Sequence, residues 1–350
     1  MKPKSKFHKF LVIFSSLIVI SVFVIAYEFY ARIYQQNIDL ISDSKEYIYI
    51  PTGSNLNDVV NILKNKNILI NSNSFIWVAK QKKYDHNIRS GKYRINDKLN
   101  NNDLVNLLRA GNQVPVRVTF NNVRTIEDFA SVISSQLEID SSLIVNRFQD
   151  STFLDSLNFN KYNIATSLIP NTYEFYWNIS IENFISRMIK EYSVFWNKNR
   201  IAKAKEIGLT KKEVSILASI VEKEQNIKID ERKIIAGLYL NRIKKNMKLE
   251  SDPTLVFAIG DFSIKRVLNK DKKIKSKYNT YKYKGLPPGP ICIPSINSID
   301  AVLNAANHNY IFMCAKEDFS GYHNFAKTYK QHLKNARKYQ KALNKRKIMR

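Results

Sequence analysis

TKKEVSILASIVEKEQ, residues 210–225, is the stretch around which the chain is organised. Thr210 followed by Glu213 makes a capping box, in which each side chain satisfies a free backbone donor of the first turn, so a helix opens here. At 100° per residue Val214, Ile216, Leu217, Ile220 and Val221 form one broad apolar face. Glu224 falls roughly 20–30° from the centre of that face, while Glu222 points the other way. A carboxylate held against an apolar interior has its charged form disfavoured, so its pKa rises and it can donate a proton near neutral pH. A solvated helix end, with Glu224 bent out to water, fits the same letters.

The compartment is decided at the other end of the chain. Phe10 to Tyr27 are 18 residues without a charge, about 27 Å of helix at 1.5 Å per residue, enough to cross a hydrocarbon core. Lys2, Lys4, Lys6 and Lys9 precede them. The positive-inside rule makes residues 1–9 a cytoplasmic tail and 10–27 a transmembrane anchor, and it places everything after about Glu28 outside the cytoplasm. A cleaved signal peptide is the alternative. Bulky Tyr27 after Ala26, with no small-x-small site, favours a retained anchor and a single-pass protein of the bacterial cytoplasmic membrane.

The 350 residues carry a net charge of +26, from 56 basic and 30 acidic side chains, which suits a polyanion: nucleic acid, anionic lipid or an acidic wall polymer. Exporting the basic mass removes nucleic acid as a partner and leaves the wall or the membrane surface. Five histidines are scattered, none paired at i, i+4, and there is no Cys-x-x-Cys or phosphate-binding loop, so no metal or other cofactor is expected. Cys292 and Cys314 both fall in the exported part, where a disulfide and buried free thiols are equally compatible with the spacing.

Between anchor and acid helix, 28–45 is a polar linker. Tyr47–Ile50 reads as a strand, Leu56, Val59, Val60 and Leu63 mark a helix, and a second helix lies near Phe75–Lys82. A strand at Ser90–Ile95 and a helix at Asn102–Arg109 stopped by Gly111 complete a small α+β module over 46–113. An intermediate subdomain over 114–200 opens with a strand at Val114–Phe120 and a helix around Phe129–Leu137 capped by Thr125 and Asp128. Helices follow at Ser141–Gln149 and Ile181–Asn199. The aromatic run Tyr173-Glu174-Phe175-Tyr176-Trp177 fits either a core or a sugar-stacking groove. In the last region, 201–350, Asp230–Lys245 is an amphipathic helix and Asp252-Pro253-Thr254 a break. A lysine-rich stretch, Lys265–Lys284, leads into an extended Pro/Gly loop. Strands at Tyr310–Cys314 and Gly321–Phe325 precede a tail that reads as a helix, Ala326–Arg350, with ten Lys or Arg and no acid. That tail is either a polyanion-binding face or a solvated one.

Several of these stretches occur together, in order, in one known family. ASIVEKE (Ala218–Glu224), NR (Asn241, Arg242), SDPT (Ser251–Thr254), YNTY (Tyr278–Tyr281), GLPPGPI (Gly285–Ile291) and GxHxF (Gly321, His323, Phe325) resemble the segments of YceG-like endolytic murein transglycosylases, the MltG family. The resemblance implies an α+β architecture: the single N-terminal anchor, a LysM-like module over 46–113 and a mixed α/β catalytic domain over 201–350. It implies cleavage of the β-1,4 bond between N-acetylmuramic acid and N-acetylglucosamine in peptidoglycan, with Glu224 as acid and then base and 1,6-anhydro ends as the product. It also implies that nascent glycan strands are the substrate, that cell-wall synthases of the penicillin-binding class are partners, and that Asn279, Thr280, Tyr281, His323, Asp252 and Glu222 bind or position the glycan. The chain departs from the family at Asn171, where an aspartate is common, at Glu250, where a glutamine is frequent, and at Gln225, where Ser or Thr is common. Two rival functions stay open on the residues alone. One is a muramidase hydrolase in which Glu222, Glu231, Glu250 or Asp252 supplies a second carboxylate. The other is a non-catalytic peptidoglycan-binding scaffold.

Overall fold

The computed structural model describes residues 4–40, 46–264 and 266–346. Residues 1–3 of the expected tail, 41–45 of the expected linker, Lys265 of the lysine-rich stretch and the last four residues lie outside these. The chain divides into two compact units. One comprises residues 1–117, 136–138 and 174–179, and the other 118–135, 139–173 and 180–350.

In the first unit, strands Glu46–Ile50 and Gly91–Ile95 pair antiparallel with Ile48 opposite Tyr93. Their period-2 alternation turns Ile48, Ile50, Tyr93 and Ile95 into the core, where all four are fully buried. Helix Leu56–Asn65 is opened by a capping box between Asn55 and Asp58, and its Leu56, Val59, Val60 and Leu63 are buried as their spacing predicts. Helices Ser72–Gln81 and Asn101–Ala110 close the same core, the latter ended by Gly111 at φ +73°, a left-handed C-cap that costs glycine little. The N-terminal helix runs from Lys4 to Tyr34 without interruption. It is long and apolar enough to cross a membrane. Its last turns belong to the unit: Phe29 meets Trp77 at 5.4 Å between ring centroids, and Asn101 donates to the Arg32 carbonyl at 2.8 Å.

The second unit is built around helix Lys211–Glu224. Thr210 and Glu213 form the expected capping box, and Val214 to Glu222 are nine consecutive buried residues. The helix is therefore buried on every side. The small residues Ser215, Ala218 and Ser219 let neighbours close over the faces that the periodicity assigned to solvent. Against it pack helices Arg232–Lys244 and Ile296–Leu303, with the short helix Asp252–Ile259 beyond. Strands Phe312–Ala315 and His323–Ala326 pair antiparallel, Ala315 opposite His323, and the basic helix Tyr329–Lys345 packs on that pair.

Two sequence expectations are corrected here, and one left open is decided. The helix expected over Ile181–Asn199 ends at Phe195, and a new one starts at Lys198, because Asn197 caps it by accepting from Arg200 N at 3.0 Å. The break expected at Asp252-Pro253-Thr254 is a helix start, Pro253 occupying the first turn where its missing N–H costs nothing. The aromatic run is strand-like up to Phe175, with Tyr173 and Phe175 in the core and Tyr176 exposed.

Candidate active site

Helix Lys211–Glu224 ends on its acid, and the backbone turns extended at Gln225 (φ −136°, ψ 90°). Glu224 therefore sits where the central helix gives way to a cavity of about 410 Å³. Its Oε1 accepts from Tyr239 Oη at 2.7 Å and from Ser251 Oγ at 2.5 Å. Tyr239 comes from the next helix and Ser251 is the N-cap residue of the one after, so three helix positions converge on one oxygen. Glu250, Asp252, Tyr281 and His323 line the same cavity.

Burial is the largest influence on Glu224 and pushes its pKa above the ordinary carboxylate value. The Ser251 and Tyr239 donors oppose it, nearby Asp252 adds to the rise and His323 opposes it; the net direction is upward. A carboxyl so placed holds its proton past the pH at which a free glutamate loses it. The Tyr239 phenol is pushed up as well, by burial and then by Glu224, so it remains a donor.

A second carboxylate stands behind the cavity wall. Glu231, almost fully buried, accepts from His323 N at 2.8 Å, from the His323 ring at Nδ1 at 2.7 Å and from Gln225 Nε2 at 2.7 Å. Burial alone would raise its pKa, but the His323 ring and backbone bonds and the Gln225 amide outweigh it, and the net direction is downward. A charged carboxylate only accepts, so it fixes the His323 proton on Nδ1 and leaves Nε2 for whatever enters the cavity.

The expected site residues separate into two groups. Glu224, Asp252, Tyr281 and His323 share the cavity, and the Tyr281 hydroxyl donates to Asp252 Oδ1 at 2.6 Å. Asn279, Thr280 and Glu222 do not line it. Asn279 is fully buried, its amide donating to the carbonyls of Lys272 and Ile274 at 3.0 and 2.9 Å while its oxygen accepts from Tyr281 N and Lys282 N. Thr280 Oγ1 bonds Ser251 N at 3.0 Å and Thr254 Oγ1 at 2.8 Å. Glu222 Oε2 accepts from Ser295 N, Ser295 Oγ and Ser298 Oγ at 2.8, 2.6 and 2.7 Å, which ties the central helix to the start of helix Ile296–Leu303. These three spend polar atoms inside the fold, away from the cavity lining.

Sequence reasoning passed over Tyr239, Ser251 and the Glu231–His323 pair. Tyr239 sits on a helix read only for its amphipathic pattern, and Ser251 was quoted within SDPT without a role. Asn241 and Arg242, the NR pair, also act structurally. Asn241 donates to the carbonyls of His308 and Tyr310, and Arg242 to those of Ile311, Lys248 and Leu249. Both cysteines are free. Cys292 is buried, its thiol pushed up to about 12 by burial and then by Glu222, and Cys314 lies on the cavity wall.

The model of the YceG-like family matches residues 48–338. A protein of Bacillus subtilis (strain 168) named endolytic murein transglycosylase is 30% identical over 313 residues, covering 83% of this chain and 84% of its own. One of the same name from Streptococcus pneumoniae (strain ATCC BAA-255 / R6) is 29% identical over 310 residues, and there the match spans 78% of this chain but only 55% of the relative. A 2.6 Å crystal structure of a yceG-like protein from Listeria monocytogenes superposes with a TM-score of 0.56 at 27% identity, covering 84% of this chain and 99% of that one. The mixed α/β unit with an acid at the end of its central helix is thus accompanied by sequence and structural likeness over most of its length, and the chain belongs to the YceG-like family.

Proposed function

We propose that this protein is a membrane-anchored endolytic lytic transglycosylase of peptidoglycan, acting on nascent strands near the membrane, with Glu224 as its acid and base. The observation that carries this is a carboxyl, its pKa pushed up by burial, that accepts from Tyr239 and Ser251 at the edge of a cavity. Glu224 gives its proton to the bridging O4 as the bond from C1 of N-acetylmuramic acid to that oxygen breaks. The muramyl 6-hydroxyl oxygen then bonds to C1, and its proton returns to the Glu224 carboxylate. No water is consumed, and the product is a 1,6-anhydro ring. The Tyr239 and Ser251 donors stabilise the carboxylate that exists between the two transfers. Tyr281, Asp252 and His323, which line the cavity, hydrogen-bond the sugar in this reading. Residues 10–27 serve as the anchor, 46–113 as a LysM-like module, 114–200 as an intermediate subdomain and 201–350 as the catalytic domain, with cell-wall synthases as partners.

The test is digestion of purified peptidoglycan by wild type and Glu224→Gln, with products identified by mass. Anhydro-ended muropeptides are expected from wild type, and loss of the acid should slow their release roughly 10²–10⁴-fold. Reducing ends in place of anhydro ends would overturn the assignment in favour of a hydrolase, with Asp252 on the cavity wall as its second carboxylate.

A further inference from the structure

Beside the cavity of Glu224 lies a second cleft of about 250 Å³, and Asp252 lines both. The two openings thus share a wall at that residue. Its lining includes three cations, Arg124, Lys223 and Arg266, with Asn226 between apolar walls. None of the three makes an ion pair with a carboxylate among the described residues. Arg124 lies on the face of Phe262, its guanidinium carbon 4.2 Å from the ring centroid, and Lys223 reaches the Asn122 side-chain oxygen at 3.3 Å. A guanidinium held over a ring can still offer N–H groups to a planar anion. Lys223 also precedes Glu224 directly on the central helix, so this charge is fixed in register with the acid. Three positive charges against Asp252 alone make the cleft attractive to an anion.

We infer that this cleft is an anion subsite that reads a free carboxylate on the stem peptide of the strand being cut. The inference rests on the transglycosylase assignment. In an intact strand the muramyl lactyl group is an amide and the sugars are neutral, so the substrate's negative charge beside the cut bond resides on its peptide. The cleft would thus make cleavage favour peptide-bearing strands over bare glycan.

The experiment uses the full chain in detergent micelles. Two substrates are compared: glycan strands with stem peptides intact, and the same strands after enzymatic removal of the stems, with the lactyl carboxylates this exposes capped as amides. The triple variant Arg124→Gln/Lys223→Gln/Arg266→Gln is expected to lose about tenfold in kcat/KM on peptide-bearing strands, mostly through KM, and less than twofold on stripped strands. Arg266→Glu alone, at an exposed position that does not endanger folding, should show the same selectivity with a smaller loss. Equal losses on both substrates, or no preference of the wild type for peptide-bearing strands, would overturn the subsite. Binding measured in a Glu224→Gln background separates it from the catalytic assignment. Peptide-bearing strands should bind more tightly than stripped ones, and more weakly as salt rises, whether or not any product forms. Displacement of those strands by millimolar inorganic phosphate, with no difference between intact and stripped strands, would instead assign the cleft to phosphate and overturn the carboxylate reading.

Discussion

Glu222 and Glu224 stand two residues apart on one helix and meet opposite surroundings. Three hydroxyl and amide donors from Ser295 and Ser298 saturate one oxygen of Glu222, whereas Glu224 has two donors and a cavity. Glu222→Gln should therefore lower stability by about 1–3 kcal/mol while activity per folded molecule is kept, as read by urea unfolding beside muropeptide release. For Glu224 the linkage is to pH. Above its ordinary value of 4.5 the unfolded chain releases the proton while the folded one resists, so stability falls as pH rises until the folded group also ionises. Glu224→Gln removes that dependence, and its Tm should exceed wild type at pH 8 by a margin that vanishes near pH 4. On the proposed mechanism activity follows the same proton. Ser251→Ala or Tyr239→Phe removes a donor that favours the carboxylate, so the basic limb of the kcat/KM profile should move to higher pH. A limb that stays in place in both variants would separate it from Glu224. Glu231 has the opposite sign: its lowered pKa gives stability that is present above 4.5 and lost on acidification, so the deficit of Glu231→Gln should be larger at pH 7 than at pH 3.

At the scale of elements, what was legible in the sequence was what is local. The capping boxes at Thr210–Glu213 and Thr125–Asp128, the stop at Gly111 and the buried face of Leu56–Asn65 each depend on residues within one or two turns, and each lies where the letters put it. The helix start at Asp252 was misread because a proline marks both breaks and first turns, and only packing tells them apart. The Glu231–His323 bond joins residues 92 apart, and Glu224 reaches Ser251 across 27, so no window of sequence contains either pair. The family resemblance points to Glu224, while the hydrogen bonds around it needed the fold. The glycines show the same limit. A Cβ on Gly289 would come within 1.8 Å of the Tyr162 carbonyl oxygen, and one on Gly237 within 2.3 Å of that of Ala306. Backbone has no rotamer by which to move aside. Gly289→Ala and Gly237→Ala are each expected to destabilise by about 1–3 kcal/mol, measured as a shift in urea midpoint at unchanged slope.

For the whole molecule, the proposed anchor and the charge would act together. On that topology a chain of net charge +26 held outside the membrane is drawn to an anionic wall and an anionic leaflet alike. On the proposed topology the full chain should stay with the membrane fraction after a high-salt wash, whereas a chain beginning at Glu28 should be released by salt. Retention of both would mean that charge, not the helix, holds the protein. The N-terminal helix carries one further consequence. It has no break between its apolar stretch and the turns where Phe29 and Arg32 engage Trp77 and Asn101. A flexible leash would fix only how far the first unit can drift. On the proposed topology an unbroken rod fastened at its end acts as an axle instead: the angle at which the helix crosses the bilayer would set the direction the first unit faces, and any change in bilayer thickness that tilts the rod would swing that unit with it.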